Sequence, residues 1–358
     1  MKYYYLTPGP SELYFTVPQH IQTALSHDIC SISHRSAKFQ EIFKEAVNNL
    51  KTLLNIPDDF YVVFTGSANE IWERIIQNCV RNYVFHLING SFSKRFYETS
   101  LELGKKALSS EVPFGKGFED VSSLKIPDEV EMICITHNET SSGVSMPLED
   151  IYTLRKHYPE KLIVVDAVSS LPYPDFDYRL IDSVFFSVQK GFGLPAGLGV
   201  WIFNQRCVEK ALALQKEGIC IGTYHKIPEL IEKASKYQTP ETPNVLGIYL
   251  LGKVCSDMLS KGIQTIRKET AYKATLLYQR LSEHSFLRPA VENPSHRSST
   301  VIVAHITDGR TSEEIINLYK PHGFILGKGY GKAKDTQIRI ANFPTFSKEL
   351  FEKLSDIL

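Results

Sequence analysis

Short runs of apolar residues alternate along the first part of the chain with longer segments of helical pattern. The runs are apolar at nearly every position, as strands are when helices cover both faces of their sheet. Helical segments such as Glu149–Tyr158 separate several of them. The pattern predicts an α/β domain with a largely parallel central sheet. Its predicted strands are Phe60–Phe64, Tyr83–Ile88, Glu131–Thr136, Lys161–Val165, Ser183–Ser187 and Gly199–Phe203.

From about Pro243 onwards the pattern changes. Val245–Lys261 and Ile263–Ser285 are long, carry their charges on one side and predict helices. Strands and shorter helices follow, which predicts a smaller α+β unit. We therefore expect a large domain at residues 16–250 and a small domain at residues 251–358 that includes residues 1–15. The later elements are a strand at Ser299–His305, a helix from Thr311, a strand at Gln337–Ala341 and a helix at Ser347–Leu358.

The composition is that of an ordinary globular protein, and its charges are balanced. Lys and Arg number 40, as do Asp and Glu, so the basic bias of nucleic-acid binders and membrane-surface proteins is missing. No stretch reaches the roughly 18 apolar residues of a membrane span, and the N-terminus has no apolar signal core. The six cysteines are scattered without CxxC pairs near a histidine, so we expect no metal site. These features predict a cytoplasmic protein that acts on small molecules, without nucleic acid or membrane partners.

Polar residues follow several of the predicted strands at their carboxyl ends, where ligands bind in open α/β sheets. Thr65-Gly66-Ser67-Ala68 joins a strand to a helix, and free backbone N–H groups at a helix start suit a phosphate. A plain turn capped by Ser67 would have the same pattern. Residues 136–143 are rich in hydroxyl and amide side chains, which suit a polar ligand or a solvated loop.

Asp166 and Lys190 give the strongest indication of chemistry. Asp166 directly follows a buried strand, where a carboxylate is costly unless a positive or protonated group faces it. A protonated pyridine nitrogen is such a group, and an exposed Asp that caps a turn is the alternative. Lys190 follows another strand and can reach the same crevice as an imine-forming amine. A lone lysine there would be ordinary, but together with the three earlier segments it predicts a pyridoxal-phosphate (PLP) enzyme.

These segments, in this order from Thr7-Pro8-Gly9-Pro10 to Arg339, resemble the class V aminotransferases. The resemblance covers almost the whole chain and implies PLP fold type I, with a mostly parallel, seven-stranded sheet in the large domain. It also implies ping-pong transamination, in which Lys190 forms the Schiff base with PLP. Asp166 would be the partner of the pyridine nitrogen, and freed Lys190 would move the substrate's Cα proton.

The resemblance assigns the other cofactor contacts as well. Thr140 would bind the phenolic oxygen of PLP, and Phe92 would stack on its ring, where relatives usually carry Trp or Tyr. Ser67 and Ala68 would form the phosphate site, with Gln189 beside it.

The resemblance further implies an obligate homodimer and a substrate clamp. Gln238 and Thr239, in Tyr237-Gln238-Thr239-Pro240, match the segment that the neighbouring subunit donates to the phosphate site. Arg339 matches the arginine that grips the substrate's α-carboxylate, a bidentate role that suits a guanidinium.

The substrate indicated within the family is phosphoserine, since Ser33-His34-Arg35-Ser36 resembles the segment by which phosphoserine aminotransferases hold the substrate's phosphate. His34 and Arg35 would have that role. The Gly-His-Arg block of those enzymes is missing, however. The stretch at residues 327–334 is closer to the alanine–glyoxylate and serine–pyruvate branch, which stays open as an alternative.

Two other classes of protein fit less well. A cysteine desulfurase needs a cysteine on a mobile loop, and Cys255 in the C-terminal part lies inside a helical pattern. A PLP fold kept as a non-catalytic binding module would usually lose Lys190, Asp166 or Arg339, and all three are present.

Overall fold

The structure is a computed structural model that describes residues 2–358. Its strands are β1 (Tyr4–Leu6), β2 (Tyr61–Thr65), β3 (Tyr83–Ile88), β4 (Lys106–Glu111), β5 (Met132–Thr136), β6 (Asn138–Glu139), β7 (Val144–Ser145), β8 (Leu162–Asp166), β9 (Ser183–Ser187), β10 (Gly199–Phe203), β11 (Leu287–Pro289), β12 (Val301–Ile306), β13 (Phe324–Lys328) and β14 (Gln337–Ala341). Its α-helices are α1 (Val17–Ser26), α2 (Ala37–Leu54), α3 (Ala68–Cys79), α4 (Ser91–Glu102), α5 (Leu148–His157), α6 (Gln205–Lys216), α7 (Ile227–Ala234), α8 (Val245–Lys261), α9 (Ile263–Glu283), α10 (Ser312–Tyr319) and α11 (Lys348–Ile357).

The larger sheet has seven strands within the described residues, in the order β2-β10-β9-β8-β5-β3-β4. Only β10 runs antiparallel to its neighbours, so the prediction of a mostly parallel sheet is confirmed. All six predicted strands are present with ends within one residue of those expected. The seventh, the edge strand β4, was not predicted, because four of the six residues of its sequence KALSSE are polar and all six are exposed or half-buried.

Helices bury both faces of this sheet, which explains the unbroken apolar runs. In β10, Val200 and Ile202 belong to the core on one face, and Trp201 and Phe203 belong to the core on the other. Helices α2 and α8 cover the first face, whereas α3 and α6 cover the second.

Helix α8 packs closely on α2. A Cβ on Gly252 would lie 3.2 Å from the Cα of Ala46, so the two backbones approach each other where the helix has no side chain. The buried residues of α8 belong to the core of the larger sheet. The expected domain boundary at residue 250 therefore falls inside a continuous helix, and the division into domains stays a prediction.

The smaller sheet has the order β1-β13-β14-β12-β11. The C-terminal strands are antiparallel to one another, and β1 from the N-terminus pairs in parallel with β13. Helices α9, α10 and α11 pack their apolar sides against this sheet. The α/β class with a C-terminal α+β unit is thus confirmed. No helix within residues 2–358 combines the length and the apolar character required to cross a bilayer.

Candidate active site

The carboxyl ends of parallel strands meet at one edge of the larger sheet. In the register of the sheet Thr136, the last residue of β5, is the partner of Asp166, the last residue of β8. Lys190 follows the end of the next strand, β9. A cavity of about 220 Å³ lies at this edge, and we call it the Lys190 cavity. The predicted site residues that line it are Phe92, Thr140, Asp166, Gln189, Lys190 and Arg339.

The Asp166 carboxylate is almost fully buried, with 3% of the residue exposed. Trp72 Nε1 donates a hydrogen bond to Oδ2 over 2.8 Å, and the Val168 backbone N–H donates one to Oδ1 over 2.9 Å. Burial raises the pKa of Asp166 to about 6, and these two hydrogen bonds oppose the rise. The carboxylate is therefore fixed in orientation, and a cationic partner in the cavity would stabilise its ionised form.

The Lys190 amine is also buried. Its Nζ donates to Thr140 Oγ1 over 3.0 Å and lies 5.4 Å from the centre of the Phe92 ring. Burial lowers the pKa of Lys190 to about 8; the charge of Arg339 acts in the same direction, and that of Asp166 opposes it. A free amine, which is the nucleophilic form, is thus accessible near neutral pH.

Gly9 lets the N-terminal segment lie directly against this lysine. Its φ is +116°, and a Cβ there would meet Lys190 Cε at 2.8 Å. A larger residue at position 9 would therefore be strained and would also displace the amine.

Arg339 reaches the cavity from β14 of the smaller sheet. Its Nε donates to the Lys328 carbonyl over 2.7 Å, and Nη1 donates to the Thr140 carbonyl over 3.3 Å. Burial lowers the pKa of Arg339 to about 10, which leaves it cationic at neutral pH. Among residues 2–358 no carboxylate forms an ion pair with it, so its charge is available to an anionic ligand.

Phe92 is held in place by a buried carboxylate that the sequence analysis did not single out. Glu139 is fully buried and accepts hydrogen bonds from the backbone N–H groups of Phe92 and Ser93 at the start of α4. A Cβ on Gly90 would lie 2.3 Å from Glu139 Cγ, so the glycine makes room for this carboxylate. The ring of Tyr330, from the smaller sheet's side, packs against Phe92 with centroids 5.0 Å apart.

The predicted phosphate segment lies at the rim of the cavity. Ser67 caps α3, and its hydroxyl accepts from the Glu70 N–H. The Ala68 N–H donates to Ser187 Oγ over 2.8 Å. Neither Ser67 nor Ala68 lines the cavity, but the next residue, Asn69, does. The first turn of α3 therefore adjoins the cavity, although part of that turn is already bonded within the protein.

Besides Ser67 and Ala68, four more predicted site residues do not line the Lys190 cavity of their own chain: His34, Arg35, Gln238 and Thr239. Three of them form one cluster elsewhere. The Arg35 guanidinium donates to Gln238 Oε1 over 3.0 Å and to the Thr239 carbonyl over 2.8 Å.

Several residues line the cavity without having been assigned a site role from the sequence, among them Trp72, Asn138 and Tyr330. Trp72 could have been found, because it lies four residues after Ala68 and therefore on the same face of the predicted helix. Tyr330 comes from a segment of the smaller sheet that gave no such indication. The position of Tyr330 in the cavity depends on how the smaller sheet packs against the larger one.

Comparison with known proteins relates the chain to one family. The model of that family, described as aminotransferase class V, matches residues 115–329. Among curated proteins, the phosphoserine aminotransferase of Nocardioides sp. is 25% identical over 349 residues, which are 97% of this chain and 92% of the relative.

Solved structures give a nearer relative. The crystal structure of a phosphoserine aminotransferase from Cytophaga hutchinsonii is 55% identical, covers 99% of this chain and 98% of its own, and superposes with a TM-score of 0.97. An alanine–glyoxylate aminotransferase from Nostoc sp. is 21% identical, with a TM-score of 0.78 and coverage of 100% of this chain and 94% of its own. The second likeness shows the shared fold alone.

Proposed function

The chain belongs to the class V aminotransferase family, and from that membership we propose that it is a PLP-dependent phosphoserine aminotransferase of serine biosynthesis, with 2-oxoglutarate as amino acceptor. The observation that carries the proposal is the meeting of Lys190, Asp166 and Arg339 in one cavity. The 55% identity to a phosphoserine aminotransferase over nearly the whole chain supports the substrate.

The residues of the cavity fit PLP. Gln189 Oε1 and Thr136 Oγ1 line it, are buried and have no hydrogen-bond partner within the described part of the chain. Such buried polar atoms call for a ligand that satisfies them. When bound, PLP supplies an aldehyde that reacts with amines and a pyridine ring that accepts electrons. Asp166 would hold a proton at the ring nitrogen, and Phe92 would cover the ring, with Thr140, Ser67 and Ala68 among the remaining contacts.

Lys190 is the proposed catalytic base and acid. Its depressed pKa lets the amine lose a proton near neutral pH and take the proton from the substrate's Cα. The same amine can then return that proton to a neighbouring carbon. Thr140, which accepts a hydrogen bond from Nζ, would hold the amine in position between these steps.

Arg339 is the proposed carboxylate clamp. Its fork of N–H donors matches a carboxylate, and two backbone carbonyls fix the orientation of the guanidinium. Because its charge has no carboxylate partner among the described residues, binding an α-carboxylate would relieve a buried unpaired charge.

We also propose a homodimer in which Gln238 and Thr239 complete the neighbour's cofactor site, while His34 and Arg35 reach the neighbour's substrate. Support comes from the position of these residues, none of which lines the cavity of its own chain, and from the hydrogen bonds of Arg35 to Gln238 and Thr239. A cytoplasmic location stays a prediction.

The substrate's phosphate has a second candidate partner. Lys332 lines a cavity of about 520 Å³ that adjoins the Lys190 cavity at Tyr330, which lines both. It lies where phosphoserine enzymes carry the Gly-His-Arg block that is missing here. We propose that Lys332 supplies part of the missing positive charge.

Glutamate formation from 2-oxoglutarate tests the function. We expect the PLP-loaded protein to form glutamate with phosphoserine and not with alanine or serine, and Lys190→Ala to lose this turnover. Lys210→Ala is the matched control, because Lys210 pairs with Glu131 at the opposite end of the strands. Turnover of alanine or serine with glyoxylate or pyruvate, without response to phosphoserine, would instead assign the chain to the other branch of the family.

A further inference from the structure

A buried histidine lies between two carboxylates beside the start of α3. His225 is 1% exposed; its Nδ1 contacts Glu70 Oε1, and its Nε2 lies 2.9 Å from Glu241 Oε2. Ionised carboxylates only accept hydrogen bonds, so both ring nitrogens must donate. A ring that donates from both nitrogens is an imidazolium, and the geometry therefore calls for a cation.

The two carboxylates connect this cation to two different segments of the chain. On one side Glu70 Oε2 accepts the backbone N–H of Gly66 over 2.8 Å, in the turn that precedes Ser67. On the other side the Glu241 carbonyl accepts from Thr239 Oγ1 over 2.7 Å. A continuous set of hydrogen bonds thus joins the turn before α3 to the Gln238–Glu241 segment.

We propose that His225 is a positioning residue which, as a cation, ties the turn at Gly66–Ala68 to the Gln238–Glu241 segment and so maintains the cofactor's phosphate site. The inference rests on the proposed phosphate role of these two segments. In the proposed dimer they serve different active sites, since one belongs to the chain's own site and the other is donated. His225 would then hold a part of each site.

Several charged and titratable groups surround the imidazole. Arg74 of α3 interacts with Glu70, and its Nη1 donates to the Tyr224 carbonyl. The Tyr224 ring stacks on the imidazole with ring centroids 4.0 Å apart. The charge of Glu241 also acts on His34, where it opposes the lowering of the pKa by burial and by Arg35. Burial alone lowers the pKa of His225, but the hydrogen bonds to Glu241 and Glu70 outweigh it and raise the pKa to about 9.

The sign of the pH dependence follows from that raised pKa. The stabilisation by the imidazolium is complete below about pH 6.5, the ordinary histidine pKa, and is lost as the pH rises from there through about 9. A variant without the imidazole lacks the stabilisation at every pH. The two proteins should therefore differ at pH 7.5 and converge by about pH 10.

Release of pyridoxamine 5′-phosphate from the loaded protein tests the inference. This form of the cofactor keeps the phosphate but cannot form an imine with Lys190, so the titration of Lys190 does not dominate the measurement. We expect His225→Gln to release it about tenfold faster than the wild type at pH 7.5, as for loss of a charged hydrogen bond. The ratio of the two rates should approach one at pH 10. Cofactor fluorescence reports the release.

Two further variants guard against a purely structural effect. Glu241→Gln keeps the side chain's size, removes its charge and should also accelerate release. His20→Gln is the matched control, since His20 pairs with Asp257 between α1 and α8 and should leave release unchanged. Equal release rates for the wild type and His225→Gln at pH 7.5, or a ratio that stays the same to pH 10, would overturn the inference. A wild-type protein that does not retain the cofactor at all would overturn the proposed function as well.

Discussion

Burial affects the pKa values of side chains in the Lys190 cavity more than neighbouring charges do. It is the largest cause of the shifted pKa of Lys190, Asp166 and Arg339, and in each case it favours the neutral form. The three groups carry charges of both signs, so a ligand that is cationic at its ring nitrogen and anionic at its carboxylate would compensate Asp166 and Arg339 together. The same burial leaves the lysine free to lose its proton.

The pKa of Lys190 predicts how the protein captures its cofactor. Only the unprotonated amine reacts with the PLP aldehyde, so the rate of capture should rise with pH and level off above about 8. Borohydride reduction at timed intervals, followed by measurement of the label fixed on Lys190, would give the profile. A midpoint near 10.4, the ordinary lysine value, would show that burial does not tune this amine.

Trp72 should matter to turnover through its hydrogen bond to Asp166. Trp72→Phe removes the N–H that donates to the carboxylate, which should raise the pKa of Asp166 further. We expect kcat with phosphoserine to fall by about tenfold, the effect of one charge-assisted hydrogen bond. Trp201→Phe provides the control, because Trp201 Nε1 donates to Ser183 Oγ in the core and not in the cavity. Equal kcat values for the two variants would contradict this role.

Among the residues that line the cavity, sequence reasoning identified several that lie at a strand end or shortly after it. Asp166 and Lys190 were predictable because a strand end fixes where such a side chain lies. Glu139 was not predictable, since its role arises from its contact with α4 across a distance of nearly fifty residues in the chain. Tyr330 was missed for the same reason, as it reaches the cavity from a different sheet.

At the scale of elements, the close packing of α8 on α2 gives a prediction for stability. Gly252→Val would place a branched side chain against the backbone of Ala46, which cannot move without shifting α2. We expect a loss of about 2 kcal/mol in the free energy of unfolding, measured by urea denaturation. Ser256→Val on the exposed side of the same helix is the control for β-branching alone. Equal losses in both variants would show that the contact is not tight.

Elements with a continuous apolar run or a clear helical pattern were predicted from the sequence more accurately than elements of mixed pattern. Strand β9 and helix α8 have the predicted ends, because continuous apolar burial or a clear helical pattern marks them. Strands β4 and β13 were missed. The first has four polar residues of six, and the second, which ends at Gly327 and Lys328, becomes a strand by pairing with β1 and β14.

At the scale of the whole molecule, the proposed dimer predicts that two inactive variants can restore activity together. Lys190→Ala lacks the amine of its own site, whereas Arg35→Ala would damage the neighbour's site. In a mixed dimer one site would carry both defects and the other none. Refolding an equal mixture should therefore recover about a quarter of wild-type turnover, since half of the dimers are mixed and each has one intact site. No recovery, with mixed dimers present by mass spectrometry, would place Arg35 outside the shared site.

The parallel pairing of β1 with β13 has a consequence for biosynthesis. Residues 4–6 leave the ribosome well before residues 324–328, the strand beside which they lie. Pro8 and Gly9, which line the Lys190 cavity, follow β1 directly. The nascent chain can therefore assemble much of the larger sheet while it is being translated, yet the wall of the cavity beside the lysine is completed only after residues 324–328 have been synthesised.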